Sequence, residues 1–283
     1  DRQVVQLHFG GGTRNFLSAG QIAEIVDVMG NHFAFADPRT RECSIELDPR
    51  FVDPGDIRVL AQAGFNRASL GVQDFDPVVQ KAVNRMQGVE ETLAIIHACR
   101  ANAFRSVNID LIYGLPLQTL DGFDRTLDIA VQARPDRFAI YSYAHLPKLF
   151  RPQQQIRAED LPSPREKLAL LQRAIERLGA AGYVYIGMDH FALPGDDLAR
   201  AQVRGDLHRN FMGYTTCADS DLIGLGVSAI SHVGASFSQN PRDLPSWERA
   251  IDEGRLPVWR GMHLDGDDVV RAGWVPPDLA NTV

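Results

Sequence analysis

The 283-residue sequence has only three cysteines, Cys43, Cys99 and Cys217, and they lie far apart. An odd number at wide spacing excludes a disulfide framework and fits a reducing, cytoplasmic compartment. No two of them have metal-site spacing, so each reads as a small buried hydrophobe. No apolar run approaches ~18 residues, so no membrane span is expected. The chain opens on Asp1-Arg2 and passes straight into a strand pattern, without the architecture of a signal peptide. Positive charge is in deficit, with 29 Lys and Arg against 36 Asp and Glu and a formal net charge of −7. That leaves no footprint for nucleic acid or for an anionic membrane, and an anionic small substrate would need a local basic patch. There is no internal repeat and no low-complexity tract. An initiator Met is also absent, and the chain closes near Trp274-Val275-Pro276-Pro277, a poor end for a folded element. Both ends therefore read as cut.

What is present is a long strand–helix alternation. The chain is long enough for one α/β barrel of ~250 residues. Val4 to Phe9 is a short apolar run that ends in Gly10-Gly11-Gly12-Thr13. Three glycines at a strand's end let the backbone take φ > 0 and approach a ligand closely, although the same residues also suit a plain tight turn. Ser18 and Gln21 have capping-box spacing, Ile22, Ile25, Val26 and Met29 follow at helical period, and Gly30 is the expected stop. Cys43 to Asp48 alternates as a strand halted by Pro49, and Asp53-Pro54 opens a helix through Ile57 and Leu60. Arg67 to Gln73, Ser106 to Tyr113 and Arg137 to Tyr143 read as further strands. Helices lie between them, after Asp76-Pro77, from Val89 through Cys99, and around Phe123 to Val131. About five such units imply a parallel sheet. With no GxGxxG at a strand–helix turn, a partial barrel is favoured over an open dinucleotide-binding sheet.

Side chains on a strand alternate faces, so parity sorts them. Gln6 and His8, Ser44 and Glu46, Ser69 with Gly71 and Gln73, Asn108 with Asp110, and then Ser142 read as one polar face. Leu7, Ile45, Leu47, Leu70, Val72, Ile109, Leu111 and Ile140 make the other. A parallel strand buried on both sides should be apolar throughout. A face that stays polar over five strands fits a polar-lumened barrel with a ligand site at the strands' C-terminal ends.

Beyond Lys148, Ser163-Pro164 with Glu166 opens a strong helix, and Tyr183 to Gly187 reads as one more strand. Asp189 to Asn240 is rich in His, aromatic and Gly residues and has little periodicity, as expected of a segment that lines a site. The organisation expected is a core over residues 1–147, a completing and covering region over 148–271, and the start of a further region over 272–283.

The motifs in order resemble the oxygen-independent coproporphyrinogen III oxidases, radical S-adenosylmethionine (SAM) enzymes of haem biosynthesis. They are His8-Phe9-Gly10-Gly11-Gly12-Thr13, Ser44-Ile45-Glu46-Leu47-Asp48-Pro49, Gly71-Val72-Gln73-Asp74-Phe75, Val83-Asn84-Arg85 and Asn108 through Pro116. Tyr143-Ala144-His145-Leu146-Pro147, Gly187 through Ala192, His208 through Thr216 and Gly226 through Ser231 continue the series.

The resemblance implies a partial (β/α) barrel that holds a 4Fe–4S cluster and SAM. Such an enzyme converts two propionates of coproporphyrinogen III to vinyl groups by way of a 5′-deoxyadenosyl radical. It also implies a monomer with an unidentified electron donor. By the same resemblance Gly11, Gly12, Thr13 and Glu46 bind SAM, and Ile230 makes a backbone contact to it. Gln73, Arg85, Asp110 and Ala144 resemble the site of a second SAM. Arg14, Lys148 and Arg209 are candidate cations for the tetracarboxylate substrate, whereas Arg151 reads as a solvated surface charge. The family's CxxxCxxC motif and its C-terminal domain are not in this sequence, and Arg14 stands where proline is usual. The chain is thus expected to be a piece of an active enzyme, without cluster cysteines or an identified catalytic residue of its own. A haem-carrying sibling of the family, or a SAM- or nucleotide-binding barrel without chemistry, are the alternative readings.

Overall fold

The computed structural model describes residues 2–11, 16–218 and 220–268. The chain divides after Ala199 into two units. The first is built on a seven-stranded sheet in the order β1-β2-β3-β4-β5-β7-β6. Its elements are β1 (Gln6–Phe9), α1 (Ala19–His32), β2 (Glu42–Leu47), α2 (Pro54–Gln62), β3 (Arg67–Gln73), α3 (Pro77–Ala82), α4 (Val89–Ala101), β4 (Ser106–Tyr113), α5 (Leu120–Ala133), β5 (Arg137–Ser142), α6 (Pro164–Ala180), β6 (Val184–Gly187) and β7 (His190–Ala192). Strands β1 to β5 pair in parallel in chain order. This is the alternation expected of a partial (β/α) barrel.

Local chemistry sets the helix starts. Ser18, Asp53 and Ser163 each close a capping box with the residue three positions on, and Pro54, Pro77 and Pro164 stand in the first turn, where a missing N–H costs nothing. At α1 the expected stop is corrected. The helix continues through Gly30 to His32 and ends where Phe33 turns extended. Glycine permits a left-handed cap but does not impose one.

The strands have the two-sided character read from parity. Along β2 buried Cys43, Ile45 and Leu47 alternate with half-buried Glu42, Ser44 and Glu46. The apolar sides of β2 to β5, among them Leu70, Ile109, Leu111, Phe138 and Ile140, share one core with Ile57, Ile96, Phe123, Leu127 and Leu170 from the helices. Fully burying a side chain such as Phe123 is worth roughly 1.5–3 kcal/mol.

Two expectations need correction. Register places Asp110 opposite Ala139 and Tyr113 opposite Ser142. Ser142 therefore lies with Ile140 on the apolar side, and the polar face continues through Arg137, Ala139 and Tyr141. The last strand of the first unit is also not single. After β6 the chain reverses at Met188 and Asp189, with Met188 at φ 49°, and β7 inserts antiparallel between β5 and β6. The tight-turn residues that usually announce such a hairpin are missing.

The second unit, described by itself, holds α7 (Asp197–Arg204) from Arg200 onward, the hairpin β8 (His208–Asn210) and β9 (Gly213–Thr215), β10 (Ile230–Val233), β11 (Ser236–Gln239), α8 (Leu244–Asp252) and β12 (Arg260–His263). Strands β10, β11 and β12 form an antiparallel sheet. The segment from Asp189 to Asn240 is therefore structured, in strands of three or four residues that are too short to show a period.

Candidate functional site

The site is built on the polar face of the sheet, at the C-terminal ends of β1 to β5. At β1, His8 Nδ1 shares a 2.8 Å hydrogen bond with Ser44 Oγ, and His8 Nε2 lies 3.7 Å from Glu46 Oε1. Gly10 follows directly over this pair. A Cβ at Gly10 would stand 2.3 Å from His8 Nε2 and 3.3 Å from the Glu46 carboxyl carbon, and Gly11 has φ +81° with open space around it. The glycine turn is thus a close approach of backbone to polar side chains, which only a residue without a Cβ allows. Gly12, Thr13 and Arg14 lie outside the described residues.

Around Gly71 the sheet gathers three of the expected residues. Gly71 is the register partner of Asp110, and a bulge then sets Gln73 against Leu111. Gln73 takes φ 70°, uncommon for a residue with a side chain. Its amide nitrogen comes to 3.0 Å, and Arg85 Nη2 to 3.3 Å, from where a Cβ of Gly71 would be. The bulge folds Gln73 back over the polar face. Arg85 follows α3, which ends at Ala82 with Val83 as its C-cap. Asn84 at φ 53° returns the chain toward the sheet, so that Arg85 Nη2 donates to Gly71 O at 2.5 Å and Nη1 meets Asp48 Oδ2 at 2.8 Å. Asp110 is held by Ser69 Oγ at 3.0 Å and by Asn108 Nδ2 at 2.8 Å. Ala144 lies just past β5, its carbonyl accepting from Gln153 Nε2 at 3.0 Å. In the second unit Ile230 opens β10 opposite Gln239, and Arg209 on β8 sits over the Tyr214 ring at 5.8 Å. Lys148 is exposed in the loop after β5.

Two carboxyl groups show how this end is held. Burial pushes the Asp48 carboxyl up, but hydrogen bonds from Arg50 and the charge of Arg85 outweigh it and hold the group below its ordinary value of 3.8. For Asp74, almost wholly buried, burial wins and the carboxyl is raised. Asp74 Oδ1 accepts from Asp76 N and Thr126 Oγ1, and Oδ2 accepts from Gln118 Nε2.

A pH dependence follows for Asp48. The folded chain binds this proton less tightly than the unfolded chain, so the stabilisation is whole above about pH 4 and is lost as the pH falls through the lowered value. Asp48→Asn should cost about 1–2 kcal/mol at pH 6. Urea unfolding at pH 6 and pH 3 checks this, with the gap between the two proteins closing at the lower pH. An undiminished gap at pH 3 would mean that the pairing with Arg50 and Arg85 is not its source.

Some of the site escaped sequence reading. Gln73 Oε1, Asn108 Oδ1 and Tyr143 Oη are buried and lack hydrogen-bond partners among the described residues. Parity placed Asn108 on the polar face but gave no reason to single it out. Lys167, from α6, was not foreseen at all. Its side chain crosses over Gly114, and Nζ donates to Tyr143 O at 2.8 Å.

Buried, unanswered acceptors beside a Cβ-free turn, with Asp110 and Arg85 at hand, fit a ligand that carries hydroxyls, an amine and a carboxylate, as SAM does. An iron–sulfur cluster does not fit the described residues. Among the described residues no group of three His, Cys, Asp or Glu side chains could hold a metal ion. Cys43 and Cys99 are core residues whose thiols burial pushes up, Cys99 to about 12.

The fold, parallel strands alternating with helices and a polar strand face, is that of a class, the radical SAM proteins, and the model described as the Radical SAM superfamily matches residues 1–130. Over 271 residues the chain is 54% identical to the oxygen-independent coproporphyrinogen III oxidase of Pseudomonas aeruginosa, covering 96% of this chain and 59% of that protein. It is 45% identical over 239 residues to the protein of the same name from Thermostichus vulcanus, covering 84% of this chain and 74% of the relative. The solved structure of coproporphyrinogen III oxidase from Escherichia coli, described as a radical SAM enzyme, superposes with a TM-score of 0.93 at 46% identity, over 96% of this chain and 62% of that one. The chain belongs to the oxygen-independent coproporphyrinogen III oxidase family. It spans about three fifths of the Pseudomonas and Escherichia relatives.

Proposed function

We propose that this chain is the core of a cytoplasmic, monomeric enzyme that decarboxylates two propionates of coproporphyrinogen III to vinyl groups, giving protoporphyrinogen IX and carbon dioxide. The observation that carries the reading is the Gly10 pinch over His8 and Glu46, set at the mouth of a polar strand face with buried acceptors still to be answered. Gly11, Gly12, Thr13, Glu46 and the Ile230 backbone hold one SAM, and Gln73, Arg85, Asp110 and Ala144 hold a second. Bound SAM supplies, on reductive cleavage, the radical that attacks a propionate side chain. The chain's own part is to bind and orient. Arg85, whose Nη1 already meets Asp48, brings positive charge to a ligand carboxylate, and Asp110 accepts from a pair of hydroxyls. Arg14, Lys148 and Arg209 are the cations for the substrate's carboxylates. Electrons come from a donor whose identity is open.

The test joins a CxxxCxxC segment ahead of Asp1 and reconstitutes the product anaerobically with iron and sulfide. Given SAM, dithionite and coproporphyrinogen III, it should form protoporphyrinogen IX and 5′-deoxyadenosine. The 283-residue chain treated alike should form neither. Tight haem binding without decarboxylation would make the protein a haem carrier, and SAM binding without cleavage would make it a binding module.

A further inference from the structure

The loop that follows β5 is basic and carries no carboxylate. Between Asp136 and Glu159 there is no acidic residue, in a chain of net charge −7. Within it, Leu146-Pro147-Lys148-Leu149-Phe150-Arg151 alternates apolar and basic side chains.

The loop is fixed, yet it turns its apolar side chains outward. The N–H groups of Leu149 and Phe150 both donate to Leu146 O, at 2.9 and 3.0 Å. Gln153 clamps the base, accepting from Leu146 N at 2.5 Å and donating to Ala144 O, while Gln154 Nε2 donates to Pro147 O at 3.2 Å. Thus braced, Leu149 is 73% exposed, Phe150 53% and Leu146 45%. Single exposed apolar residues need no account, but three within five positions of an ordered turn form a patch.

The charges are also unanswered. Lys148 and Arg151 make no ion pair among the described residues, whereas three of the arginines that follow, Arg157, Arg173 and Arg177, pair with Glu159, Asp124 and Asp128. The loop starts at Ala144, at the strand end where Asp110 and Gln73 lie.

An apolar surface flanked by free cations, beside the site, complements a ligand with a broad apolar body and carboxylates at its rim. We propose that Leu149 and Phe150 are the platform on which the tetrapyrrole body of the substrate lies, with Lys148 and Arg151 holding its carboxylates. This rests on the functional reading above. It also gives Arg151 a role where the sequence alone suggested a solvated surface charge.

The experiment titrates coproporphyrin III, the stable oxidised tetracarboxylate, into the 283-residue chain by fluorescence, with its tetramethyl ester as a body without charge. Leu149→Ser with Phe150→Ser should weaken both ligands at least tenfold. Lys148→Gln with Arg151→Gln should weaken the tetra-acid by a similar factor and leave the ester unchanged. SAM binding, followed by calorimetry, should persist in both double variants, which also shows that they are folded. Unchanged coproporphyrin affinity in both would overturn the proposal. So would loss, in the Leu149/Phe150 variant, of binding to phosphatidylglycerol vesicles with porphyrin binding intact, because the loop would then be a membrane contact. Porphyrin binding through this loop with no decarboxylation in the cluster-bearing protein would overturn the functional reading and leave the docking surface standing.

Discussion

Gly10→Ala should lower SAM affinity on the order of 100-fold, about 2.7 kcal/mol, and cost stability as well. The new methyl would stand 2.3 Å from His8 Nε2, closer than any real contact, so the imidazole has to move. The ring is tied to Ser44 at 2.8 Å and lies beside Glu46. Displacing it breaks the first contact and disturbs the second, and overpacking of this kind costs typically 1–3 kcal/mol. Calorimetric titration with SAM and thermal unfolding read the two effects. The double variant with His8→Ala separates a clash from a general loss of structure. With the ring gone there is room for the methyl, so Gly10→Ala should do much less harm in that background. Equal damage in both backgrounds would mean that the close approach to His8 is not what makes glycine necessary.

In the second unit Gly224→Ala should be at least as harmful, for a different reason. Its Cβ would come within 2.5 Å of Ile230 O and 2.9 Å of the Ile230 carbonyl carbon and nitrogen. These are backbone atoms, and backbone cannot rotate aside as an imidazole can. The pinch closes a loop already fastened by paired hydrogen bonds between Leu222 and His232, by Gly224 N donating to Ser231 Oγ, and by Asn240 Nδ2 donating to Gly226 O. The expected cost is about 3 kcal/mol or more. Hydrogen exchange over residues 222–240 should rise sharply while the amides of β3 and β4 keep their protection. Because Ile230 is the proposed backbone contact to SAM, the substitution should also weaken SAM binding. Unchanged exchange around Ile230 would refute the pinch.

The parts of this molecule that sequence could disclose are those governed by local rules. Capping boxes at Ser18 and Ser163, prolines at helix starts and the two-residue alternation of β2 and β4 are short-range chemistry, and each lies where it was expected. The misreadings came where tertiary structure decides. Gly30 lies inside a helix because packing carries α1 onward. Ser142 was read with the polar face although alternation itself sets it with Ile140, as register with Tyr113 shows. Gln73 is on the polar face as alternation read it, but it gets there through a bulge and a left-handed backbone that its neighbours do not announce. The same holds for the site. Glu46 and Asp110 could be read from alternation, whereas the return of Arg85 to Gly71, across a helix and a left-handed Asn84, has no sequence signal short of a family resemblance. Lys167 crosses to the carbonyl of Tyr143 from 24 residues away in the chain, and periodicity is blind to such a contact.

The buried carboxyl of Asp74 joins pieces that the chain keeps apart. It follows Gln73 directly, and through Gln118 it reaches the turn that leaves β4, since Gln118 Oε1 accepts from Gly114 N at 2.6 Å. Through Thr126 it is fastened to α5, whose hydroxyl also receives Phe75 N at 3.1 Å. Unfastening one of these links while keeping the others would leave buried donors unanswered, at about 1–3 kcal/mol for each. The strand ends that carry Gln73 and Asp110 therefore behave as a single stiff rim. Amides at these two strand ends and in the first half of α5 are therefore expected to exchange as one unit.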